Sequence, residues 1–226
     1  MCSSRRAVRR YFLLYSLTAN VGSLQTKVPH DVKSIVDIGT GTGQWAVEMA
    51  ARYPGANILG LDIAPIQSKL VPQNVKFEIA DVEKPWDILP VSVDFIHVRL
   101  LSGIIRNWSA LFAEAFGKLK PGGFLEVTDV RGRILDFDGK FGQDEVTPNL
   151  TRLFQEIANK EGCIFDTASQ LPGWLHDEGF EMVVQRQEIL PLGAWPKDKK
   201  LRARGKLTTA IVVPWLREST FRIQCS

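Results

Sequence analysis

The sequence predicts an α/β fold in which a doubly wound parallel sheet carries helices on both faces. Apolar runs of strand character alternate with segments of helical spacing along most of the 226 residues, an order typical of βαβ units. The central run over 93–98 is continuous rather than alternating, as expected for a strand buried on both faces. No internal repeat or linker divides the chain, so we expect one main domain.

In the first half of the chain, an apolar run predicts a strand at 34–38. Four apolar residues at helical spacing then predict an amphipathic helix over 44–53, which Pro54-Gly55 ends. Further apolar runs predict strands at 57–61, 74–79 and 93–98.

In the second half, apolar residues at helical spacing predict a helix over 109–119. Pro121-Gly122-Gly123 is expected to turn the chain into a fifth strand at 124–127. Helical spacing returns at 148–160 and at 169–178, where Gly179 ends the helix, and a long strand pattern follows at 180–190.

Charge is distributed unevenly along the chain. Residues 1–30 hold five basic and no acidic residues, residues 197–226 hold eight basic and two acidic residues, and the middle has a net charge of −8. Basic ends on an acidic body do not form a nucleic-acid groove, and solvated termini are favoured over tails that bind nucleic acid or membrane. Leu13, Leu14, Leu17 and Val21 keep helical spacing, which predicts an N-terminal helix packed on the domain rather than a transit peptide.

Cysteine usage and hydropathy exclude several other classes of protein. Cys2, Cys163 and Cys225 are too few and too scattered for a disulfide framework or a zinc site, so we expect no metal. No apolar run approaches the ~20 residues that span a bilayer. These features favour a cytoplasmic location, with the nucleus as the alternative.

The most informative motif is the stretch 36–43, Val-Asp-Ile-Gly-Thr-Gly-Thr-Gly, which ends a strand and opens a helix. Glycines let backbone approach a ligand closely, and a helix N-terminus favours an anionic group. A dinucleotide fingerprint would have a third glycine where Gln44 stands. The spacing G-x-G-x-G therefore favours S-adenosylmethionine over a dinucleotide.

Two acidic residues follow the next two predicted strands. Asp62 ends the second strand, where a carboxylate can accept hydrogen bonds from both ribose hydroxyls. Asp81 follows the third strand, where it can accept from an adenine amino group while the Val82 N–H donates to a ring nitrogen. The alternative to ribose binding is that Asp62 only caps a helix or stabilises a turn. A dinucleotide site does not require an acid at Asp81, so this residue also favours S-adenosylmethionine.

Together, the stretches 36–43, 61–63, 80–82 and 119–123 resemble a class I S-adenosylmethionine-dependent methyltransferase. More narrowly, the stretches 37–45, 75–86, 94–108 and 191–197 resemble fungal methyltransferases of secondary-metabolite clusters, a group that includes the velvet-associated regulator of secondary metabolism. The resemblance runs from about residue 11 to about residue 204. It implies a Rossmann-like methyltransferase sheet.

The resemblance also implies roles for individual residues. The glycines of the loop line the methionine part of the cofactor, Asp62 holds the ribose, and Asp81 with Val82 holds the adenine. Arg99 ends the fourth strand near the sulfonium. Apart from the resemblance, a guanidinium there could orient an acceptor carboxylate or enolate, with a surface salt bridge as the alternative. The full expected cofactor-binding set is Asp37, Gly39, Thr40, Gly41, Gly43, Asp62, Ile63, Asp81, Val82 and Arg99.

Methyl transfer needs mainly positioning, and a general base helps only if the acceptor loses a proton. His97, near the end of the fourth strand on the expected acceptor side, is the candidate base, with a hydrogen-bonded structural histidine as the alternative. Trp108 and Trp195 are expected either to wall an acceptor pocket or to pack in the core or at an interface. Asp129, Asp136 and Asp138 follow the fifth strand, where acceptor loops lie, and a solvated loop is the favoured alternative for them.

We expect three segments: an N-terminal helical segment at 1–30, a methyltransferase domain at 31–204 and a divergent or truncated tail at 205–226. The resemblance implies that relatives end in an antiparallel strand beside the fifth strand. In this sequence only the piece 210–216 has strand character in that region, so we expect the last strand to be incomplete. The sequence favours a methyltransferase acting on a small molecule in fungal secondary metabolism. A methyltransferase-like regulatory or cofactor-binding protein with a protein partner is the alternative.

Overall fold

The computed structural model describes residues 10–15, 28–89, 92–129, 146–187 and 191–210. Its strands are β1 Arg10–Tyr15, β2 Ser34–Ile38, β3 Asn57–Asp62, β4 Val75–Ile79, β5 Val93–Arg99, β6 Leu119–Thr128 and β7 Val183–Gln187. Its helices are α1 Gln44–Arg52, α2 Trp108–Lys118, α3 Val146–Lys160, α4 Leu171–Asp177 and α5, residues 199–210.

The strands form one sheet in the order β4-β3-β2-β5-β6-β1-β7, and each described pairing is parallel. The chain winds outward from β2 through β3 to β4, then returns to β5 on the other side of β2. The order therefore reverses between β2 and β5, and a crevice for a ligand is expected beyond the C-terminal ends of these strands. The expected doubly wound α/β fold is confirmed.

Two hydrophobic cores lie on opposite faces of the sheet. On one face α1 packs Trp45 and Met49 against Ile35 and Phe95. On the other face, the core that includes residues of α2 and α4 packs against residues such as Val36 and Ile96. The burial of both faces explains why the central strands read as continuous apolar runs.

The prediction of an N-terminal helix is wrong for residues 10–15. Arg10–Tyr15 is a strand that pairs with β6 on one side and with β7 on the other. A short apolar run rich in aromatic residues suits either a helix or a strand, and here pairing between two parallel strands decides in favour of the strand. Residues 16–27, which include Leu17 and Val21, lie outside the described residues.

The strand beside β6 also differs from the one that the resemblance implies. It is the parallel β1, drawn from the start of the chain, rather than an antiparallel strand from its end. Helix α5 crosses the predicted boundary at 204, and residues 211–226, most of the predicted strand-like piece, lie outside the described residues. The predicted segment boundaries therefore stay predictions.

The turn at Pro121-Gly122-Gly123 lies inside a strand rather than before one. Strand β6 begins at Leu119, which pairs with Val93, whereas the next partners are Phe124 and Phe95. The extra residues form an irregularity, with Gly122 at a φ of 77°. This bulge lies at the N-terminal end of β6, the edge of the sheet away from the ligand crevice.

The other predicted elements agree with the structure apart from their bounds, whereas helix α5 has no counterpart among the predicted elements. The predicted helices at 148–160 and 169–178 correspond to α3 and α4, and part of the long strand pattern at 180–190 forms β7. Residues 188–190 lie outside the described part of the chain. None of the described helices is long and apolar enough to cross a bilayer.

Candidate active site

The glycine loop, residues 39–43, connects β2 to α1 at the C-terminal edge of the sheet. Gly39, Gly41 and Gly43 all have positive φ, between 57° and 79°. A Cβ on Gly39 would lie 2.7 Å from the Leu101 side chain, and one on Gly43 would lie 2.2 Å from the Phe77 ring. A Cβ on Gly41 would meet nothing within 4 Å. Two of the glycines therefore make room for protein side chains, and Gly41 is the one that faces open space.

Asp62 binds the glycine loop directly. One carboxylate oxygen accepts from the Gly41 N–H at 2.7 Å, and the other accepts from the Ala64 N–H at 3.0 Å. The Gln67 side-chain amide donates to the Gly41 carbonyl at 2.6 Å, so the loop after β3 holds Gly41 from both sides. A carboxylate has about four acceptor positions, so Asp62 keeps capacity for ligand hydroxyls.

Asp81 lies at the same edge of the sheet as Asp62. The Ala80 N–H donates to the Asp62 carbonyl at 2.9 Å, which extends the pairing of β3 and β4 to the residue before Asp81. Asp81 is exposed, and one of its carboxylate oxygens accepts from the Glu83 N–H at 3.0 Å. The structure thus brings the two predicted acidic residues to one end of neighbouring strands.

Two apolar side chains accompany these acids. Ile63 follows Asp62 and is 72 % exposed, although it is a large hydrophobic residue. Val82 follows Asp81 and is half-buried, and its carbonyl accepts from Trp86 Nε1 at 2.9 Å. The edge therefore combines two carboxylates with apolar surface, a combination that suits a nucleoside.

His97 lies in the interior of the protein rather than on the expected acceptor side. It is 2 % exposed, its Nδ1 lies 2.7 Å from an Asp37 carboxylate oxygen, and its ring stacks on Trp45 with centroids 3.8 Å apart. The expected position on the acceptor side is corrected, because α1 covers the sheet face from which His97 projects. The role of general base stays an untested prediction, and the contacts favour the structural alternative.

Arg99 ends β5 and is half-buried, and its role near the sulfonium also stays a prediction. Beyond it, Leu100 adopts a φ of 56°, a strained conformation for a residue other than glycine. Asp129 is buried and accepts from the N–H groups of Leu101 and Ser102 at 3.1 and 2.8 Å. The expectation of a solvated Asp129 is wrong, because its carboxylate holds the loop after β5.

The two tryptophans differ in their surroundings. Trp108 is buried in the core beside Phe112 and Trp174, which supports packing rather than an acceptor wall. Trp195 is exposed and lies before α5. The predicted Asp136 and Asp138 loop lies outside the described residues.

Sequence reasoning missed a contact that joins three segments around the site. The Arg106 backbone N–H and guanidinium donate to the two Glu83 carboxylate oxygens at 2.7 and 3.0 Å. The same guanidinium donates to the Glu161 carbonyl at 3.1 Å. Arg106 thus joins the loop after β4, the loop after β5 and the end of α3, a grouping that no sequence spacing signals.

Two titratable groups outside the crevice have displaced pKa values. Burial alone would raise the pKa of the Asp94 carboxyl, but hydrogen bonds from Lys120 and from the N–H groups of Lys33 and Ser34 lower it below its ordinary value. Burial raises the pKa of the Cys163 thiol. Among the described residues, no group of three or more His, Cys, Asp or Glu could hold a metal ion.

Comparison with known proteins extends this picture. The chain is 37 % identical over 177 residues to methyltransferase pytC of Aspergillus terreus, covering 77 % of this chain and 54 % of that protein. It is 30 % identical over 191 residues to protein-methionine methyltransferase laeA of Emericella nidulans, covering 81 % and 50 %. A solved structure of plantazolicin methyltransferase BamL with S-adenosylhomocysteine is 18 % identical, covers 66 % of this chain and 54 % of that chain, and has a TM-score of 0.49.

The chain thus spans about half the length of the two curated relatives described above. A family model described as a methyltransferase domain matches residues 8–185, which is most of the sequence. The match contains the whole glycine loop, Asp62 and Asp81. The chain belongs to the methyltransferase-domain family.

Proposed function

We propose that this chain is an S-adenosylmethionine-dependent methyltransferase that acts on a small molecule of secondary metabolism. The observation that carries the proposal is the convergence, at one edge of the sheet, of open backbone at Gly41 with Asp62 and Asp81. Membership of the methyltransferase family and similarity to pytC support it.

The residues at this edge fit the parts of the proposed cofactor. The methionine part would pass over Gly41, where the missing side chain leaves open space. Asp62 would accept the ribose hydroxyls with its remaining lone pairs. Asp81 and the Val82 N–H would bind the adenine edge, and exposed Ile63 would cover its apolar face.

The sulfonium supplies an activated methyl group when the cofactor is bound, so the chain mainly needs to orient the acceptor and exclude water. Arg99, half-buried at the end of β5, would orient an anionic group of the acceptor. Leu100 and Ile104 are exposed apolar side chains of the loop that follows. These residues favour a largely apolar acceptor with one polar or anionic group.

Calorimetric titration with S-adenosylmethionine tests the proposal. We expect saturable one-site binding, and at least tenfold weaker binding by Asp62→Ala, which loses a ligand acceptor and the bond to Gly41. Asp94→Ala is the matched control, because it removes a buried carboxylate at the opposite edge of the sheet. Absence of heat from the folded wild-type chain would contradict the proposal.

A regulatory protein that binds cofactor without transferring methyl is the second candidate. The laeA protein of Aspergillus flavus is described as a secondary metabolism regulator, which supports the regulatory role. It does not support the loss of methyl transfer, because laeA of Emericella nidulans is described as a methyltransferase. Mass spectrometry of acceptor extracts separates the two functions. Methyl transfer adds about 14 mass units to a product, whereas a binding protein leaves every acceptor unchanged. We propose a cytoplasmic location for the enzyme and a nuclear one for the regulator.

A further inference from the structure

A continuous line of buried contacts runs from the centre of the sheet to the glycine loop. His97 Nδ1 lies 2.7 Å from one Asp37 carboxylate oxygen, and the other oxygen accepts from the Thr40 hydroxyl at 2.6 Å. The three residues are 2 %, 2 % and 7 % exposed. Nothing in the proposed transfer of methyl uses this line of contacts.

The fold brings these groups together from separate parts of the chain. Asp37 of β2 and His97 of β5 are register partners, so their side chains project from the same face of the sheet. Trp45, the second residue of α1, lies flat on the imidazole at an interplanar angle of 5°. The His97 ring therefore contacts groups on both sides of the glycine loop: Asp37 before it and Trp45 after it.

We propose that His97 is a positioning residue for the glycine loop and not the general base. Because a carboxylate only accepts, the imidazole donates its Nδ1–H to Asp37 and orients that carboxylate toward Thr40. Thr40 in turn is fixed by its N–H bond to the Leu61 carbonyl at 2.9 Å. These contacts hold the glycine loop open at Gly41. The importance of this open loop for cofactor binding rests on the proposed function.

Two substitutions separate the hydrogen bond from the ring. In His97→Asn the side-chain amide can take the place of Nδ1 and donate to Asp37, although the ring is lost. In His97→Phe the ring can still stack on Trp45, but the donor is lost and Asp37 keeps an unpaired buried oxygen. We expect His97→Phe to bind S-adenosylmethionine at least tenfold more weakly than the wild type, and His97→Asn to remain within about threefold.

If His97 were the general base, the result would differ. Both variants lack the imidazole, so both would lose turnover equally while they bound the cofactor as the wild type does. Equal wild-type affinity in both variants would overturn the proposal. If His97→Phe does not fold, Thr40→Val serves instead, since it breaks the other end of the line with little change in volume. Its readout is hydrogen exchange over 39–43 in the free protein, which should rise at least tenfold, because a lost direct contact with the cofactor would not change that rate.

Hydrogen exchange of the free protein keeps this inference separate from the proposed function. A peptide covering 39–43 should exchange at least tenfold faster in His97→Phe, with rates near wild type in His97→Asn and in a peptide of α2. That result would support the positioning role even if the wild type bound no cofactor. Unchanged exchange over 39–43 in His97→Phe would overturn it.

Discussion

Substitution of Gly41 by alanine separates the cost of the backbone conformation from the space needed by a ligand. Gly41 has a φ of 57° and open space where a Cβ would lie. Gly122 matches it closely, because it has a φ of 77° and a Cβ there would also meet nothing within 4 Å, but it lies at the opposite end of the sheet. Both alanines therefore enter the same left-handed region, and only one enters the crevice.

The expected loss of stability is small and nearly equal at the two sites. A side chain in this region costs about 1–2 kcal/mol. The lower entropy of the unfolded chain offsets about 0.4–1 kcal/mol of that cost. Each variant should lose about 1 kcal/mol of unfolding free energy, which lowers Tm by about 2–4 °C in a chain of this length.

The expected loss of binding differs sharply between the sites. A methyl group forced into a close contact costs about 1–3 kcal/mol. Gly41→Ala should therefore raise the Kd for S-adenosylmethionine about fivefold or more, whereas Gly122→Ala should bind as the wild type does. Urea unfolding and calorimetric titration measure the two quantities. Wild-type affinity in Gly41→Ala, or an equal loss of affinity in Gly122→Ala, would show that the ligand does not pass over Gly41.

Two further predictions concern groups with displaced pKa values. Asp94→Ala should cost about 1–3 kcal/mol at pH 7, because it leaves the N–H groups of Lys33 and Ser34 without their acceptor. The native pKa of Asp94 is lowered, so its charge contributes to the unfolding free energy in full above the ordinary pKa of 3.8. This contribution is lost as the pH falls through the native pKa. The difference in unfolding free energy between wild type and variant, measured with urea, should therefore shrink in acid. Cys163 is buried and its thiol has a raised pKa. In a variant that carries Cys2→Ser and Cys225→Ser, it should react with a thiol reagent only when the protein unfolds. Rapid reaction of the native protein would contradict the burial of Cys163.

Much of the central sheet can be predicted from the sequence because its strands and turns carry strong local signals. The runs that form β2, β3 and β5 are apolar, and Pro54-Gly55 ends the helix between the first two. The position of Asp62 and Asp81 at one edge then follows from parallel pairing alone. These features depend on short segments and on one topological rule.

Other features depend on contacts between distant residues and carry no local signal. The apolar run 11–15 suits either a helix or a strand until its two partner strands are known. The burial of His97 depends on the register of β5 with β2 and on Trp45 at the start of α1. Similarly, the spacing of the glycines does not show that Gly43 makes room for Phe77 while Gly41 faces open space.

A crystal structure of the wild-type chain with S-adenosylhomocysteine would show whether the cofactor lies at the edge of the sheet formed by Gly41, Asp62 and Asp81. We expect the amino-acid part over Gly41, the ribose hydroxyls on the Asp62 carboxylate and the adenine beside Asp81 and Val82. A ligand bound elsewhere, or an edge of the sheet closed by the protein's own side chains, would contradict it.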